Sequence, residues 1–233
     1  MSTIVITGGS RGIGAAAVER FAALGHRVYF LYEKNHEAAN AVAEKTGATA
    51  ICCDVADTAA VKAALTGLDV DVLICNAGIC HYGLMSTLSE EDWDRIFGVN
   101  VKGIYNCVNA VTPAFLRKQR GCIITVSSMW GQVGASCEAA YSAAKGAVIA
   151  LSKALAQELG PSGVRVNCIT PGVIRTDMCA AVDPEILAQM AEDSLVGRNG
   201  TPQDVAQAME YLVNAEFVTG QVLPVNGGYV IGG

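Results

Sequence analysis

Ser128, Tyr141 and Lys145 are the residues whose types and spacing carry the most chemistry in this sequence. Tyr141 and Lys145 stand four residues apart in a stretch of helical period, so they share one face, a turn apart. Ser128 precedes the tyrosine by thirteen residues and follows an apolar, β-branched run. A phenol in such a set can give a proton to a carbonyl oxygen while hydride reaches the carbon. A free phenol titrates at about 10. A neighbouring ammonium favours the phenolate and brings that value toward the working range of an acid/base group. A serine hydroxyl can hydrogen-bond the same oxygen and hold it. Tyrosine and lysine at this spacing also occur by chance on helix surfaces, so the set gains force only beside a cofactor site.

The sequence offers one at its start. The run Thr7-Gly8-Gly9-Ser10-Arg11-Gly12-Ile13-Gly14 lies between a strand-like and a helix-like segment. Gly8, Gly12 and Gly14 permit a tight turn and close approach to a pyrophosphate, whose charge the amides of a helix start would meet. The plainer reading is an ordinary strand-to-helix turn. A second strand ends at Tyr32, with Glu33 one step later. An acid at the strand end would bind a ribose 2′-OH, and the guanidinium of Arg11 suits a 2′-phosphate. NADP(H) is the favoured cofactor, with NAD(H) as the alternative if Glu33 falls one position earlier.

The elements that must position these groups alternate in type. Thr3–Thr7, Arg27–Tyr32, Thr49–Cys52, Val70–Cys75, Cys122–Val126, Val164–Ile169 and Gln221–Val225 read as strands. Helices are expected over Gly12–Leu24, Asn35–Thr46, Thr58–Leu65, Ser89 to about Arg117, Ala139–Leu159, Pro184–Glu192 and Pro202–Val213. Ile13, Ala17, Phe21 and Leu24 would line one face of the first helix. Ser89 with Asp92 resembles a capping box. The alternation predicts an α/β fold: one Rossmann-type, doubly wound parallel sheet with helices on both faces, residues 1–233 forming a single domain.

Composition narrows the function classes. The net charge is -6 and no basic stripe runs along the chain, which argues against nucleic acid. The short run Arg117, Lys118 and Arg120 reads as a solvated helix end. The first residues lack the basic and apolar regions of a signal peptide, and no apolar run approaches the roughly 20 residues of a membrane helix. A soluble, cytoplasmic protein is expected. Nine cysteines, without a CxxC pair, predict buried core thiols and neither a metal site nor a disulfide framework.

The glycine string has the spacing TGxxxGxG and resembles the short-chain dehydrogenase/reductase family. Cys75-Asn76-Ala77-Gly78 looks like that family's NAG element, and Asp54-Val55 like its adenine-contacting pair. Ser128, Tyr141 and Lys145 match its catalytic pattern, and Asn100 its fourth catalytic residue. The resemblance implies that Ser128 orients the carbonyl, Tyr141 gives the proton, and Lys145 holds the cofactor ribose and tunes Tyr141. Asn100 would support a water leading away from Lys145; locally it could instead be a helix kink or cap. Pro171-Gly172-Val173-Ile174 and Thr176 resemble the nicotinamide-side segment, with Ile174 offering backbone groups and Thr176 a hydroxyl. Across the family a basic residue at the place of Arg11 goes with NADP. The likeness covers nearly the whole chain and implies a homotetramer, with the two long helices and the C-terminal tail as interfaces.

Within that family the chain looks most like the 3-oxoacyl-[acyl-carrier-protein] reductase branch. Three features depart from it. Asp57–Val70 is short, Ser162 stands where a basic carrier-docking residue is common, and Ser128–Glu138 reads SMWGQVGASCE. That string is similar to reductases resembling the elongation factor P 5-aminopentanone reductase, which act on a modified lysine. Glu138, three residues before Tyr141, would favour a cationic substrate, or it answers the helix macrodipole. Trp130 is a pocket wall or a packing residue. The resemblance implies that the segment from about Ala180 to Asn199, made apolar with Met178, Leu187, Met190, Leu195 and Val196, covers the substrate, or it is a helix packing on the core. A cofactor-sensing protein without turnover is the reading from another class, and four retained catalytic residue types oppose it.

Overall fold

The computed structural model describes residues 1–179 and 182–231. Its strands are β1 (Thr3–Thr7), β2 (Arg27–Tyr32), β3 (Thr49–Cys52), β4 (Val72–Cys75), β5 (Gly121–Val126), β6 (Val164–Pro171) and β7 (Val222–Val225). Its helices are α1 (Gly12–Ala23), α2 (His36–Thr46), α3 (Thr58–Leu65), α4 (Glu90–Phe97), α5 (Gly103–Lys118), α6 (Trp130–Val133), α7 (Ala139–Leu159), α8 (Pro184–Asp193) and α9 (Pro202–Asn214). The strands form one sheet in the order β3-β2-β1-β4-β5-β6-β7, every neighbouring pair parallel. The order reverses between β1 and β4. In an open α/β sheet that is the switch point where ligands lie, outside the carboxyl ends of the strands.

Strand residues alternate between two cores, as a period of two requires. Ile4, Ile6, Val28, Phe30 and Ile74 face α1, α2 and α9, packing on Phe21, Val42 and Met209. Val5, Leu31, Leu73, Ile123 and Val166 face α3, α5 and α7, packing on Val61, Phe115 and Val148. Because both faces are covered, the strands read as nearly unbroken apolar runs. Phe21, Phe30 and Phe115 are fully buried, and each such side chain contributes about 1.5–3 kcal/mol. Cys53, Cys75, Cys107, Cys122 and Cys168 lie in these cores as free thiols. Burial raises their pKa values, that of Cys107 to about 12, so they stay protonated.

Three expectations are corrected. The long helix from Ser89 is broken: α4 is separated from α5 by a π-helical turn over Gly98–Lys102. There the Asn100 side chain bonds the backbone of Ile79 through both its atoms, at 2.9 Å each, and the wider turn lets it reach. Leu24 is half exposed, because α1 ends at Ala23 and the chain turns away through Gly25. The basic run is not merely solvated: Lys118 Nζ reaches Asp69 at 2.7 Å and Asp71 at 3.0 Å, fastening α5 to the start of β4. Ala180 and Ala181, where the expected cover begins, lie outside the described residues. The rest of that segment is α8 and a loop in which Leu195 and Val196 are exposed. Among the described residues no helix is long and apolar enough to cross a membrane, and no cluster of metal-ligating side chains occurs.

Candidate active site

The turn after β1 opens at the switch point. Gly8 and Gly12 both have positive φ, 68° and 54°. The space is as demanding as the backbone. A Cβ on Gly8 would lie 2.9 Å from Ala77 Cα, and one on Gly14 would run into the Gly8 carbonyl oxygen. Ser10, Arg11 and Ile13 complete the turn. Helix α1 begins without a side-chain cap and without an acidic residue in its first turn, so its amides are left for an anion. Asn76 and Ala77 brace it from β4: both backbone amides donate to Thr7 Oγ1, at 3.0 and 2.9 Å. The Asn76 side-chain amide donates to the carbonyls of Thr7 and Gly8.

On the far side of the opening, the segment after β6 closes against the same turn. A Cβ on Gly12 would meet Thr176 Cγ2 at 3.2 Å, and one on Gly172 would meet Asn226 Cα at 2.7 Å. Pro171 ends β6, and its carbonyl accepts from the Met129 amide at 2.9 Å. Ile174 is buried, and its carbonyl accepts from the Cys179 thiol at 3.1 Å.

The edge of β2 and β3 carries the charged groups. Tyr32 is buried with its hydroxyl 2.9 Å from His36 Nδ1. Asp54 Oδ1 accepts from the Ala56 amide at 2.9 Å, and Val55 is buried beside it. Arg95, from α4, reaches Asp54 Oδ2 at 2.8 Å and Glu33 Oε1 at 3.1 Å. Burial alone would raise the pKa of Asp54, but the hydrogen bonds from Arg95 and Ala56 hold it below the usual carboxylate range. Arg11 is exposed.

Between these walls the structure gathers Asn100, Ser128, Tyr141 and Lys145, all four buried. Helix α7 presents Tyr141 and Lys145 from one face, and Lys145 Nζ lies 5.5 Å from the centroid of the Tyr141 ring. Ser127 anchors α7 to β5 by donating to the Lys145 carbonyl at 2.7 Å, while Lys145 Nζ donates to the Val126 carbonyl at 2.8 Å. Gly78 is the common neighbour. A Cβ there would lie 3.2 Å from Asn100 Oδ1 and 3.3 Å from Lys145 Nζ, so the missing side chain leaves room for both polar heads. Ser128 Oγ accepts from the Trp130 amide at 3.1 Å.

Electrostatics at this cluster differ from expectation. Lys145 was expected to lower the pKa of Tyr141. Burial instead pushes Tyr141 well above its ordinary value, with only the neighbouring Ser128 hydroxyl pulling it down. Lys145 is itself pushed down to about 8 by burial. Desolvation dominates at both groups because both sit inside. The phenol is therefore held protonated, the form that can give a proton.

Glu138 is the residue before α7, and its side chain makes no capping hydrogen bond. It is partly buried, which raises its pKa, and its charge is felt at both Tyr141 and Cys80. Trp130 packs edge-on against Tyr229 of the tail, ring centroids 5.8 Å apart. Cys80, Cys179 and Arg95 were missed from sequence. The two cysteines follow motif residues by only a few positions and carry no pattern of their own. Arg95 meets its partners only where α4 comes up against the ends of β2 and β3.

The model of the family described as enoyl-(acyl carrier protein) reductase matches residues 8–230. The chain is 38% identical to the 3-oxoacyl-[acyl-carrier-protein] reductase FabG of Staphylococcus aureus, covering 96% of each. It is 35% identical to the uncharacterized oxidoreductase YmfI of Bacillus subtilis, covering 97% of this chain and 98% of the other. Among solved structures, a 3-ketoacyl-(acyl-carrier-protein) reductase from Brucella melitensis complexed with NADH matches with TM-score 0.94 at 31% identity, over 99% of this chain and 98% of that one. The chain belongs to the short-chain dehydrogenase/reductase family of NAD(P)-dependent oxidoreductases.

Proposed function

We propose that this enzyme reduces a ketone to a secondary alcohol with NADPH, and that its substrate is a 3-oxoacyl group carried as a thioester. One observation carries the chemistry: a buried Tyr141 beside Ser128, on the same helix face as Lys145, where burial raises the phenol's pKa. The likeness to 3-oxoacyl-[acyl-carrier-protein] reductases supports the substrate class.

The cradle suits a dinucleotide, since its glycines leave no room for a Cβ and α1 starts uncapped. Gly8, Ser10, Arg11, Gly12, Ile13 and Gly14 would hold the phosphates, with Asn76, Ala77 and Gly78 beneath. Tyr32, Asp54 and Val55 would border the adenosine; Pro171, Gly172, Ile174 and Thr176 the nicotinamide. A bound nicotinamide supplies hydride to the carbonyl carbon. Ser128 donates a hydrogen bond to the carbonyl oxygen and fixes its position. Tyr141 gives its proton to that oxygen as negative charge develops there. Lys145, whose pKa burial brings down to about 8, favours the phenolate that remains when it carries its proton. Asn100 shares the space beside Gly78 and steadies a path by which the proton is replaced. NADP is favoured over NAD because Arg11 is exposed in the turn while Glu33 is engaged by Arg95 and Lys34. The reading includes a cytoplasmic homotetramer, with residues 1–233 acting as one domain.

Glu138 favours a second substrate. A partly buried carboxylate near Tyr141, free of any capping role, would attract an ammonium group. NADPH oxidation measured with a neutral β-keto thioester and with a cationic aminoketone separates the two. The thioester is expected to turn over equally well in the wild type and in Glu138→Gln. A preference for the aminoketone that disappears in Glu138→Gln would replace the thioester reading. No turnover of either would favour a cofactor sensor.

A further inference from the structure

Arg95 takes no part in the catalytic cluster or the glycine turn, yet it is the centre of a charge network. Its guanidinium bridges Glu33 Oε1 at 3.1 Å and Asp54 Oδ2 at 2.8 Å, and Lys34 Nζ meets the same Glu33 oxygen at 2.9 Å. Arg95, Glu33 and Asp54 are each about a third exposed, 35%, 36% and 33%. Ion pairs so exposed add little to stability. Their effect on charge is larger. Glu33 follows the last residue of β2 and Asp54 lies just beyond β3. Strand β2 ends beside the β1 turn and β3 ends next to β2, at the edge where such sheets take the ribose of a dinucleotide. Two uncompensated carboxylates there would repel a phosphate. Arg95 and Lys34 cancel them, and Arg95, with a fixed fork, also dictates where the Glu33 carboxylate sits.

We propose that Arg95 is a specificity-determining positioning residue. By holding Glu33 it withdraws that carboxylate from the ribose 2′-OH, and the 2′-phosphate of NADPH is accepted beside Arg11. Helix α4 thus contributes to cofactor choice through a side chain that need not touch the phosphate. The inference rests on the NADPH reading above, and equilibrium binding tests the two separately.

Dissociation constants for NADPH and NADH are measured by nucleotide fluorescence on the full chain. The set comprises wild type, Arg95→Gln, Arg95→Lys, and Arg95→Gln combined with Glu33→Gln, with melting temperatures recorded for each. Wild type is expected to bind NADPH more tightly. Arg95→Gln should lose about tenfold or more of that preference, one charge at close range being removed. Arg95→Lys, which keeps the charge, should retain part of it and remains informative if the glutamine variant fails to fold. Neutralising Glu33 in the Arg95→Gln background should restore most of the preference. An unchanged preference in Arg95→Gln, with NADPH favoured by wild type, overturns the role of Arg95 and leaves the cofactor reading standing. A loss that Glu33→Gln does not repair overturns the action through Glu33. A wild type that prefers NADH overturns the cofactor reading and this inference with it.

Discussion

Tyr141 shows how one side chain's surroundings set its task. In water a phenol is already a poor acid, and burial here makes it poorer. On the proposed mechanism the hydroxyl keeps its proton until a carbonyl oxygen beside it gains negative charge. Removing that hydroxyl should abolish the proton transfer and little else. Tyr141→Phe is expected to lower kcat by about a hundredfold or more, while NADPH binding stays within about twofold because the ring remains in place. Steady-state NADPH oxidation and equilibrium fluorescence would check the two halves. Activity within about tenfold of wild type would remove Tyr141 from the proton-donor role.

At the scale of elements, the site depends on two helices meeting closely. Helix α6 lies against α7 through Gly131, where a Cβ would stand 2.6 Å from the Lys145 carbonyl carbon and 2.8 Å from its oxygen. That is backbone, and it cannot swing aside. Gly131→Ala should push α6 and α7 apart at the residue that bears the amino group. The expected outcome is a loss of about 1–3 kcal/mol, as for overpacking elsewhere, read as a lowered Tm, with a fall in kcat. Gly134 is a contrast on the same loop. It has a φ of 76° but nothing within 4 Å of a Cβ. Gly134→Ala should therefore lower Tm through backbone strain of about 1–2 kcal/mol while kcat is largely kept. Equal losses of kcat in both variants would refute the packing account. The π-helical turn belongs to this scale as well. Asn100 lies in that turn and faces the space beside Gly78, so a residue at a helix break can also border the proposed site.

For the whole molecule, the exposed apolar residues are the notable feature. Phe217 is entirely exposed, and Tyr105, Leu116 and Tyr211 are each 40% exposed or more, on α5, α9 and the approach to β7. Strand β7 is also a sheet edge with free backbone groups. A homotetramer would cover such surfaces. Analytical ultracentrifugation should give a mass about four times the 24.2 kDa chain. A monomer at micromolar concentration would rule out the tetramer and leave the site within one chain unaffected.

Much of this was legible in the sequence because it is periodic or local. The alternation of β-branched runs with helical stretches specified the parallel sheet, since strands covered on both faces need apolar residues throughout. Tyr141 and Lys145 were legible because four residues make one helical turn, and the glycine turn because its geometry excludes side chains. What the sequence could not determine arose between segments far apart in the chain. The high pKa of Tyr141 reflects burial, a sum over neighbours from several elements. The bridge from Arg95 to Glu33 and Asp54 spans α4, β2 and β3. The approach of Asn100 and Lys145 to one space depends on Gly78, a third segment, having no side chain to fill it. Spacing along one element determines which residues share a face. Only the packing of elements determines which charges are desolvated and which are paired, because solvation and Coulomb energy depend on distance through space.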